Sequence, residues 1–199
     1  MDSILTNQSS ALTRLAESVS TVSFFNSHKA DLDNGRPAVY CGTYHKYNCG
    51  SIAGIWVDIT SFDDYEEFID FCRKFHSDEN DPELMFQDFA NYPDDWYSEC
   101  YFSSELFDKI VFYQQLADNF KQEAVEAFID LGKDIYDFEE QFIGRFDSEE
   151  DFAEHVVSDC YDLDDMLGSL KYYFDYSAFA RDLFADDYLF CDGFVFRNF

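Results

Sequence analysis

The sequence predicts an α+β protein. Two observations favour this class: short apolar runs bounded by turn residues occur early and late in the chain, and apolar residues at helical spacing dominate between them. We expect an N-terminal antiparallel β-sheet with a helix, a central helical bundle, and a C-terminal α+β domain with a hairpin. The predicted boundaries are residues 37–97, 98–138 and 139–199 for these three small domains, preceded by an N-terminal extension over residues 1–36.

The N-terminal extension contains one segment with helical periodicity. Residues 11–25 place apolar side chains on one side of a short amphipathic helix. Polar residues follow, and the extension ends at Asn34-Gly35-Arg36-Pro37, which is typical of a turn or linker. We expect this extension to pack weakly against the rest of the chain.

The N-terminal domain is predicted to begin with a β-hairpin and to continue into an acidic helix. A serine precedes the helical segment, where its hydroxyl can cap the first backbone amides, and acidic residues follow in the first turn, where the helix dipole favours them. The predicted elements are strand Ala38–Tyr44, turn Tyr47–Gly50, strand Ser51–Asp58, helix Phe62–Phe75 with Ser61 as its cap, and strand Leu84–Phe89.

The remaining segments alternate helical patterns with glycine stops and end in a hairpin signal. Asp192-Gly193 between two apolar runs is a strong hairpin signal. The predicted helices run from Ser103 or Ser104 to about Phe120, from Gln122 to Leu131, from Tyr136 to Ile143, from Asp147 or Ser148 to about Ser158, and from Tyr176 to Asp186. The predicted hairpin strands are Tyr188–Phe190 and Phe194–Arg197.

Charge is the most unusual property of the chain. It has 42 acidic and 13 basic residues, a net charge of −29. Residues 1–60 hold five acids and four bases, whereas residues 61–199 hold 37 acids and nine bases, a net charge of −28. This balance excludes ordinary binding of nucleic acids and of anionic membranes. It indicates a cationic partner, a bound cation, or only solvation, as in acidic proteins of salt-adapted organisms.

The densest acidic segment, Asp137–Asp165, also has the composition of a folded segment. Twelve of its 29 residues are acidic and only Arg145 is basic, yet large aromatic and aliphatic residues recur throughout it. A disordered acidic tail lacks such residues. The segment can therefore bury one side and present carboxylates on the other.

The sequence contains no pattern typical of an enzyme or of a cofactor site. Phosphate-binding, dinucleotide-binding, nucleophile-elbow and zinc-protease motifs are absent, and no EF-hand loop is complete. Six cysteines without metal-ligand spacing are expected to be core residues with reduced thiols, and the N-terminus does not resemble a signal peptide. We expect a cytoplasmic protein without enzymatic activity, cofactor or metal.

Acid density suggests that the carboxylates imitate the phosphates of a nucleic acid. Duplex DNA carries one charge per ~1.7 Å, so 29 net charges match roughly 50 Å of duplex. Carboxylates three or four residues apart on a helix lie about 5–6 Å apart at Cβ. The candidate residues are Asp63, Asp64, Glu66, Glu67, Asp70, Asp137, Glu139, Glu140, Asp147, Glu149, Glu150, Asp151, Glu154, Asp162, Asp164, Asp165, Asp182, Asp186 and Asp187. Asp147 is also a candidate helix cap.

Three segments, in order, resemble the ArdA antirestriction family. Phe138–Glu154 resembles its acidic antirestriction motif, and Val39–Gly50 with Gly54-Ile55-Trp56 resembles its opening strand, turn and second strand. Phe174–Leu183 resembles its C-terminal signature. Together the matches cover about residues 37–199, and residues 1–36 have no counterpart in this pattern.

The resemblance implies a curved, elongated protein of three small domains that dimerises through the C-terminal one. Family members mimic bent B-form DNA, occupy the DNA groove of the methyltransferase core of type I restriction–modification enzymes, and protect mobile genetic elements. The motif would lie near the dimer contact, so Phe138, Phe142, Phe146 and Phe152 are predicted to serve packing or that contact. The alternatives are a mimic of DNA aimed at a nucleoid protein or repressor, and an acidic scaffold or divalent-cation binder.

Overall fold

A computed structural model of the protein describes residues 22–199, which divide into two compact units between Gln115 and Leu116. Each unit contains one three-stranded antiparallel β-sheet accompanied by helices, so the predicted α+β class is confirmed. The division into three domains, with boundaries after residues 97 and 138, stays a prediction.

The sheet of the first unit has the strand order β2-β1-β3. Its strands are β1, Ala38–Thr43; β2, Ile55–Asp58; and β3, Leu84–Ala90. The central strand β1 pairs through Val39 with Val57 on one side and with Phe89 on the other. Five of its six residues are buried. The short apolar runs bounded by turn residues therefore identified all three strands, because each contributes side chains to one core.

The predicted turn at Tyr47–Gly50 is present, because the Gly50 amide donates a hydrogen bond to the Tyr47 carbonyl oxygen at 2.9 Å, but it ends a short helix that was not predicted. Helix α1 spans Tyr44–Asn48, and Thr43 caps it by accepting a hydrogen bond from the Lys46 amide. A loop follows, and β2 begins at Ile55 rather than at Ser51. Gly54 passes so close to β1 that a Cβ at this position would collide with the Cys41 carbonyl oxygen. This contact explains why a glycine precedes the strand.

The acidic helix of the first unit, α2, spans Tyr65–Phe75 and begins later than predicted. Its cap is Asp64 and not Ser61, which lies in a 3₁₀ turn and donates its hydroxyl to the Asp58 carbonyl oxygen. The helix buries Phe68, Phe71 and Cys72 against the sheet. Tyr65 and Ile69 of the same helix are only half-buried.

The described part of the N-terminal extension packs closely, contrary to the prediction. Most of the predicted helix over residues 11–25 lies outside the described residues, but residues 22–27 are helical. Phe25 contacts Phe71 and Phe75 with ring centroids 5.5 and 5.3 Å apart. Lys29 forms an antiparallel bridge with Val57. The extension therefore pairs with β2 and packs against α2. Its own sequence predicts neither contact.

Two longer helices follow, both close to the predicted bounds. Helix α3 spans Ser104–Asn119, and α4 spans Gln122–Asp130. The hydroxyl of Ser103 accepts a hydrogen bond from the Leu106 amide at the start of α3. Gly132 ends the second helix in the left-handed conformation, with φ 73°. Serine capping and glycine termination were therefore sufficient to place both helices.

The sheet of the second unit has the order β4-β6-β5. Strands β5, Tyr188–Cys191, and β6, Phe194–Arg197, form the predicted hairpin around Asp192 and Gly193, both at positive φ. The helix predicted over Tyr136–Ile143 is wrong only in its last two residues, Phe142 and Ile143. Its residues form a 3₁₀ turn, the short helix α5 over Phe138–Gln141, and strand β4 over Phe142–Arg145, because Phe142 pairs with Phe196 of β6.

Three further helices complete the second unit. Helices α6, Glu149–Cys160, and α8, Tyr176–Asp186, agree with the predicted segments. Between them lie α7, Leu163–Leu167, and a 3₁₀ turn over Gly168–Tyr173, neither of which was predicted. The core of this unit is aromatic: Phe138 is fully buried and contacts Phe120, Phe128, Phe142 and Phe196.

Candidate partner-binding surface

Every carboxylate predicted from the sequence to imitate a phosphate lies at the surface. All nineteen residues, from Asp63 to Asp187, are exposed, and they occur in both units. Burial would have excluded a residue from contact with a macromolecular partner. The structure therefore leaves the whole set available to a partner, while its predicted role in binding stays a prediction.

In the first unit, the acidic residues both build helix α2 and display charge. The Asp64 side chain accepts a hydrogen bond from the Glu67 amide at 2.9 Å, and Glu67 accepts one from the Asp63 amide at 3.2 Å. These bonds satisfy backbone amides that the first turn of a helix leaves without partners. Glu66 and Asp70 extend the acidic surface along the helix. The charged surface is thus fixed by the same bonds that start the helix.

In the second unit, the antirestriction-like motif repeats this arrangement at the start of α6. The Ser148 hydroxyl accepts a hydrogen bond from the Asp151 amide at 3.1 Å, and Asp151 accepts one from the Asp147 amide at 3.2 Å. The cap is therefore Ser148 and not Asp147, the other residue predicted for this role. Glu149, Glu150 and Glu154 lie exposed on the same helix.

The remaining candidates are distributed over shorter elements of the second unit. Asp162 caps α7 by accepting a hydrogen bond from the Asp165 amide at 3.0 Å. Asp164 pairs with Lys171, with Nζ 2.6 Å from Oδ1, and this hydrogen bond raises the pKa of Lys171. The other members are exposed on or beside α5 and α8: Asp137, Glu139, Glu140, Asp182, Asp186 and Asp187.

Cations neutralise little of this surface. Residues 61–199 contain nine lysines and arginines against 37 acids. The recorded ion pairs of the candidate carboxylates are Asp164 with Lys171 and a longer contact of 3.8 Å between Asp70 and Arg73, whose side chains are both largely exposed. Exposed pairs of this kind contribute little to stability. The negative potential of the described surface is therefore mostly uncompensated.

The search for segments dense in acidic residues missed two further groups of exposed acids, one on α3 and one on α4. Glu105 and Asp108 lie three residues apart on α3, and Glu123, Glu126 and Asp130 lie three and four residues apart on α4. Such spacing places each group on one side of its helix. The i, i+3, i+7 periodicity of acids could have identified them, whereas a count of acids per window could not.

The motif aromatics named as candidates lie in or beside the core of the second unit. Phe138 and Phe152 are buried, and Phe142 and Phe146 are half-buried. The ring of Phe142 stacks on Phe138 at 5.1 Å, and that of Phe146 meets Phe152 edge to face at 5.0 Å. Packing within one chain thus accounts for the positions of these four side chains, and a dimer contact stays a prediction.

A buried polar network lies under α1 in the first unit. His76 is fully buried; its Nδ1 accepts a hydrogen bond from Lys46 Nζ at 2.8 Å, and its Nε2 donates one to the Cys41 carbonyl oxygen at 3.2 Å. A hydrogen bond from Cys72, opposed by burial, lowers the pKa of the Cys41 thiol to about 7. Lys46 also pairs with Asp78 at 2.9 Å and lowers the pKa of that carboxyl.

The prediction that all six cysteines are core residues is wrong. Cys41 and Cys72 are buried, but three others are exposed and Cys191 is half-buried. The exposed cysteines lie in turns or at helix ends: Cys49, Cys100 and Cys160. Over residues 22–199, no three histidine, cysteine or acidic side chains converge as a metal site would require. Among the helices of that same range, none combines the length and hydropathy of a membrane-spanning segment.

Comparison with known proteins assigns the family. A search among curated proteins found no match. The model of the antirestriction protein family ArdA matches residues 39–196, a range that begins within β1 and ends within β6. The match spans most of the chain and includes both sheets and the acidic motif, and it leaves the N-terminal extension outside. The chain therefore belongs to the ArdA family of antirestriction proteins.

Proposed function

We propose that the protein mimics the charge and shape of bent B-form DNA and thereby blocks the DNA-binding groove of a type I restriction–modification enzyme. The observation that carries this proposal is the exposure of all nineteen nominated carboxylates on two folded units with few opposing cations. A groove that binds phosphates through lysine and arginine side chains offers the complementary charge.

Helical display of the acids supports mimicry over mere acidity. Glu66, Glu67 and Asp70 on α2, and Glu150, Asp151 and Glu154 on α6, are spaced by one, three or four residues on short helices fixed by caps. Neighbours three or four apart lie about 5–6 Å apart at Cβ, close to the separation of successive phosphates along a strand. A disordered acidic chain would lose conformational entropy on binding, whereas these folded carboxylates are already held in place.

The mechanism is competition and requires no catalysis. Carboxylates of the protein contact the cations that otherwise contact DNA phosphates, so both ligands exclude each other from one groove. No covalent bond forms or breaks, and no cofactor takes part. The family assignment agrees with this mode, because its members are antirestriction proteins.

We further propose that the protein acts in the cytoplasm as a homodimer, with the contact near the motif in the second unit. Doubling the chain would extend the charged length to roughly 100 Å of duplex equivalent. A length of this order would follow an extended groove better than one copy does. Sedimentation or light scattering at several protein concentrations measures this association.

Competition with labelled duplex DNA tests the proposed function. The core methyltransferase of a type I enzyme is mixed with the duplex, and the protein is titrated in while fluorescence anisotropy reports bound DNA. Displacement at about one equivalent of protein or dimer supports the proposal. Retention of DNA at a large excess contradicts it, and displacement of DNA from a nucleoid protein or repressor instead would assign the mimicry to that target.

A further inference from the structure

One short segment of the second unit exposes several large apolar side chains. Within eight residues, Met166, Leu170, Tyr172 and Tyr173 are 63, 62, 80 and 84% exposed. We call these four residues the outer patch. They lie on α7 and the 3₁₀ turn that follows it. Single exposed apolar residues are ordinary on protein surfaces, but a group of this kind marks an interaction site more often.

The segment that carries the outer patch packs against α8 at both of its ends. Tyr161, just before α7, meets Phe179 of α8 edge to face at 6.3 Å, and Phe174, just after the turn, meets the same ring at 5.8 Å. Leu163 and Leu167 are half-buried on the inner side. Other apolar residues thus attach this segment to the rest of the unit, and the four residues of the outer patch take no part in that packing.

A cleft of about 940 Å³ lies beside the outer patch. Aromatic rings form part of its wall, and carboxylates form another part; the lining includes Tyr161, Tyr172, Phe174 and Tyr176 together with Glu154, Asp159, Asp162 and Asp164. Its single lining cation is Lys171, which is already paired with Asp164 at 2.6 Å. Aromatic faces and carboxylates together favour the guanidinium of an arginine or the ammonium of a lysine.

Charge decides which partner fits this surface. The second unit, residues 116–199, contains 22 acids and six bases, so 22 minus six gives a net charge of −16. A second copy docked through this same surface would place Asp162, Asp164 and Asp165 of the two chains against each other, so the homodimer contact proposed near the motif is expected to leave the outer patch free. A cationic surface meets the opposite sign there and gains attraction in place of repulsion.

We propose that the outer patch and the cleft form a docking surface for a cationic loop of the target protein. One arginine or lysine side chain of that loop enters the cleft, and a neighbouring apolar side chain covers the outer patch. The inference rests on the proposed function and adds an apolar anchor to the electrostatic contact. Charge alone would bind any cationic groove, whereas the anchor selects a target whose cations flank an apolar side chain.

The two contributions respond differently to salt. Screening weakens contacts between exposed charges, whereas burial of tyrosine and methionine side chains depends little on ionic strength. Removing Tyr172 and Tyr173 should therefore weaken target binding by a similar factor at low and high salt. Removing carboxylates should weaken it strongly only at low salt.

The test measures affinity for the type I methyltransferase core at about 50 mM and about 300 mM salt. The variants are the double substitution Tyr172→Ala and Tyr173→Ala, the charge variant Asp162→Asn and Asp165→Asn, and the matched control Tyr101→Ala, which removes a tyrosine 64% exposed in the first unit. All three sites are exposed, and circular dichroism confirms that each variant folds. We expect the double tyrosine variant to lose about tenfold to thirtyfold in affinity at both salt concentrations, and Tyr101→Ala to lose less than about twofold.

Three results would overturn the inference. In the first, the tyrosine variant binds the methyltransferase core as tightly as Tyr101→Ala does. In the second, its loss of affinity disappears at high salt, as that of the aspartate variant does, and in the third, light scattering shows that the substitution converts a dimer into a monomer. The last result would assign the surface to a second copy of the chain. If the unmodified protein displaces DNA while the tyrosine variant is unimpaired, only the docking surface fails; if the unmodified protein displaces no DNA, the proposed function fails with it.

Discussion

The two units begin their acidic helices in the same way with different residues. Asp64 and Glu67 in the first unit, and Ser148 and Asp151 in the second, each satisfy two amides at the start of a helix. In both units, aromatic rings of the sheet also pack against aromatic rings of a helix. Acidic residues are therefore part of the folding mechanism here, and a dense negative surface does not prevent compact structure when its members cap helices.

The units differ in what they leave exposed. In the first, the N-terminal extension pairs with β2 and places Phe24 and Phe25 against Phe71 of α2. In the second, Tyr172 and Tyr173 remain 80 and 84% exposed. The first unit thus covers part of its apolar surface with its own chain, whereas the second leaves two adjacent tyrosines largely exposed. Variants at the cores, the extension, the caps and the charges separate these roles, from the largest expected effect to the smallest.

The largest effect is expected in the aromatic core of the second unit. Phe138→Ala should reduce the free energy of unfolding by about 3–5 kcal/mol, because Phe138 is fully buried among four rings. Chemical denaturation followed by circular dichroism measures this change. Phe146→Ala is the matched control: its ring is half-buried, so its loss should be clearly smaller. Equal losses for the two variants would contradict the described packing.

Deletion of the N-terminal extension should destabilise the first unit by about 2–4 kcal/mol. The deletion of residues 1–36 removes two half-buried phenylalanines and the hydrogen bond from the Asp58 amide to the His28 carbonyl oxygen. Hydrogen exchange at the Asp58 amide should accelerate in the same variant. Deleting only residues 1–21 keeps these contacts and serves as the control. Unchanged exchange at Asp58 after the longer deletion would show that the extension does not cover β2.

Cap variants distinguish structural from electrostatic roles of one carboxylate. Asp64→Ala removes both the cap hydrogen bond and the negative charge, and it should lower the free energy of unfolding by about 1 kcal/mol. Asp64→Asn removes only the charge, because its side-chain oxygen still accepts a hydrogen bond from the Glu67 amide, so it should preserve most of that stability. Ser148→Ala should behave like Asp64→Ala, because Ser148 has the same position in the second unit. Thermal unfolding resolves these differences. An Asn variant as unstable as the Ala variant would count against capping at Asp64.

Removal of one exposed charge should have the smallest effect. Glu66→Gln and Glu150→Gln each leave more than thirty acids in place, so target affinity should fall by less than about twofold in a competition assay. Combining substitutions along one helix should produce progressively larger losses. Abolition of inhibition by either single variant would contradict a surface that acts through many weak contacts.

Local patterns were sufficient for much of the fold. Apolar periodicity with serine and glycine signals placed α3, α4, α6 and α8 near their observed bounds, and Asp192-Gly193 identified the terminal hairpin. These elements are specified by residues close in sequence. The exposure of the candidate acids also followed from helical periodicity with an apolar side turned inward.

The features that sequence analysis missed depend on distant residues. Phe142 and Ile143, the first half of strand β4, were assigned to a helix, because only the pairing with β6, about fifty residues later, makes Phe142–Arg145 a strand. The extension was assigned weak packing, because Lys29 and Val57 are brought together by the sheet and not by sequence. The outer patch has no helical or strand period, so its four exposed residues gave no signal before the fold was known.

The salt dependence of target binding tests the proposed mimicry most directly. The dissociation constant of the protein and a type I methyltransferase core is measured by calorimetry from about 50 mM to about 300 mM salt, beside a DNA duplex as reference. If carboxylates replace phosphates, the affinity of the protein should fall steeply with salt, as that of the duplex does, and the two ligands should exclude each other. An affinity that is constant across this range, or binding that leaves DNA in place, would contradict the mimicry.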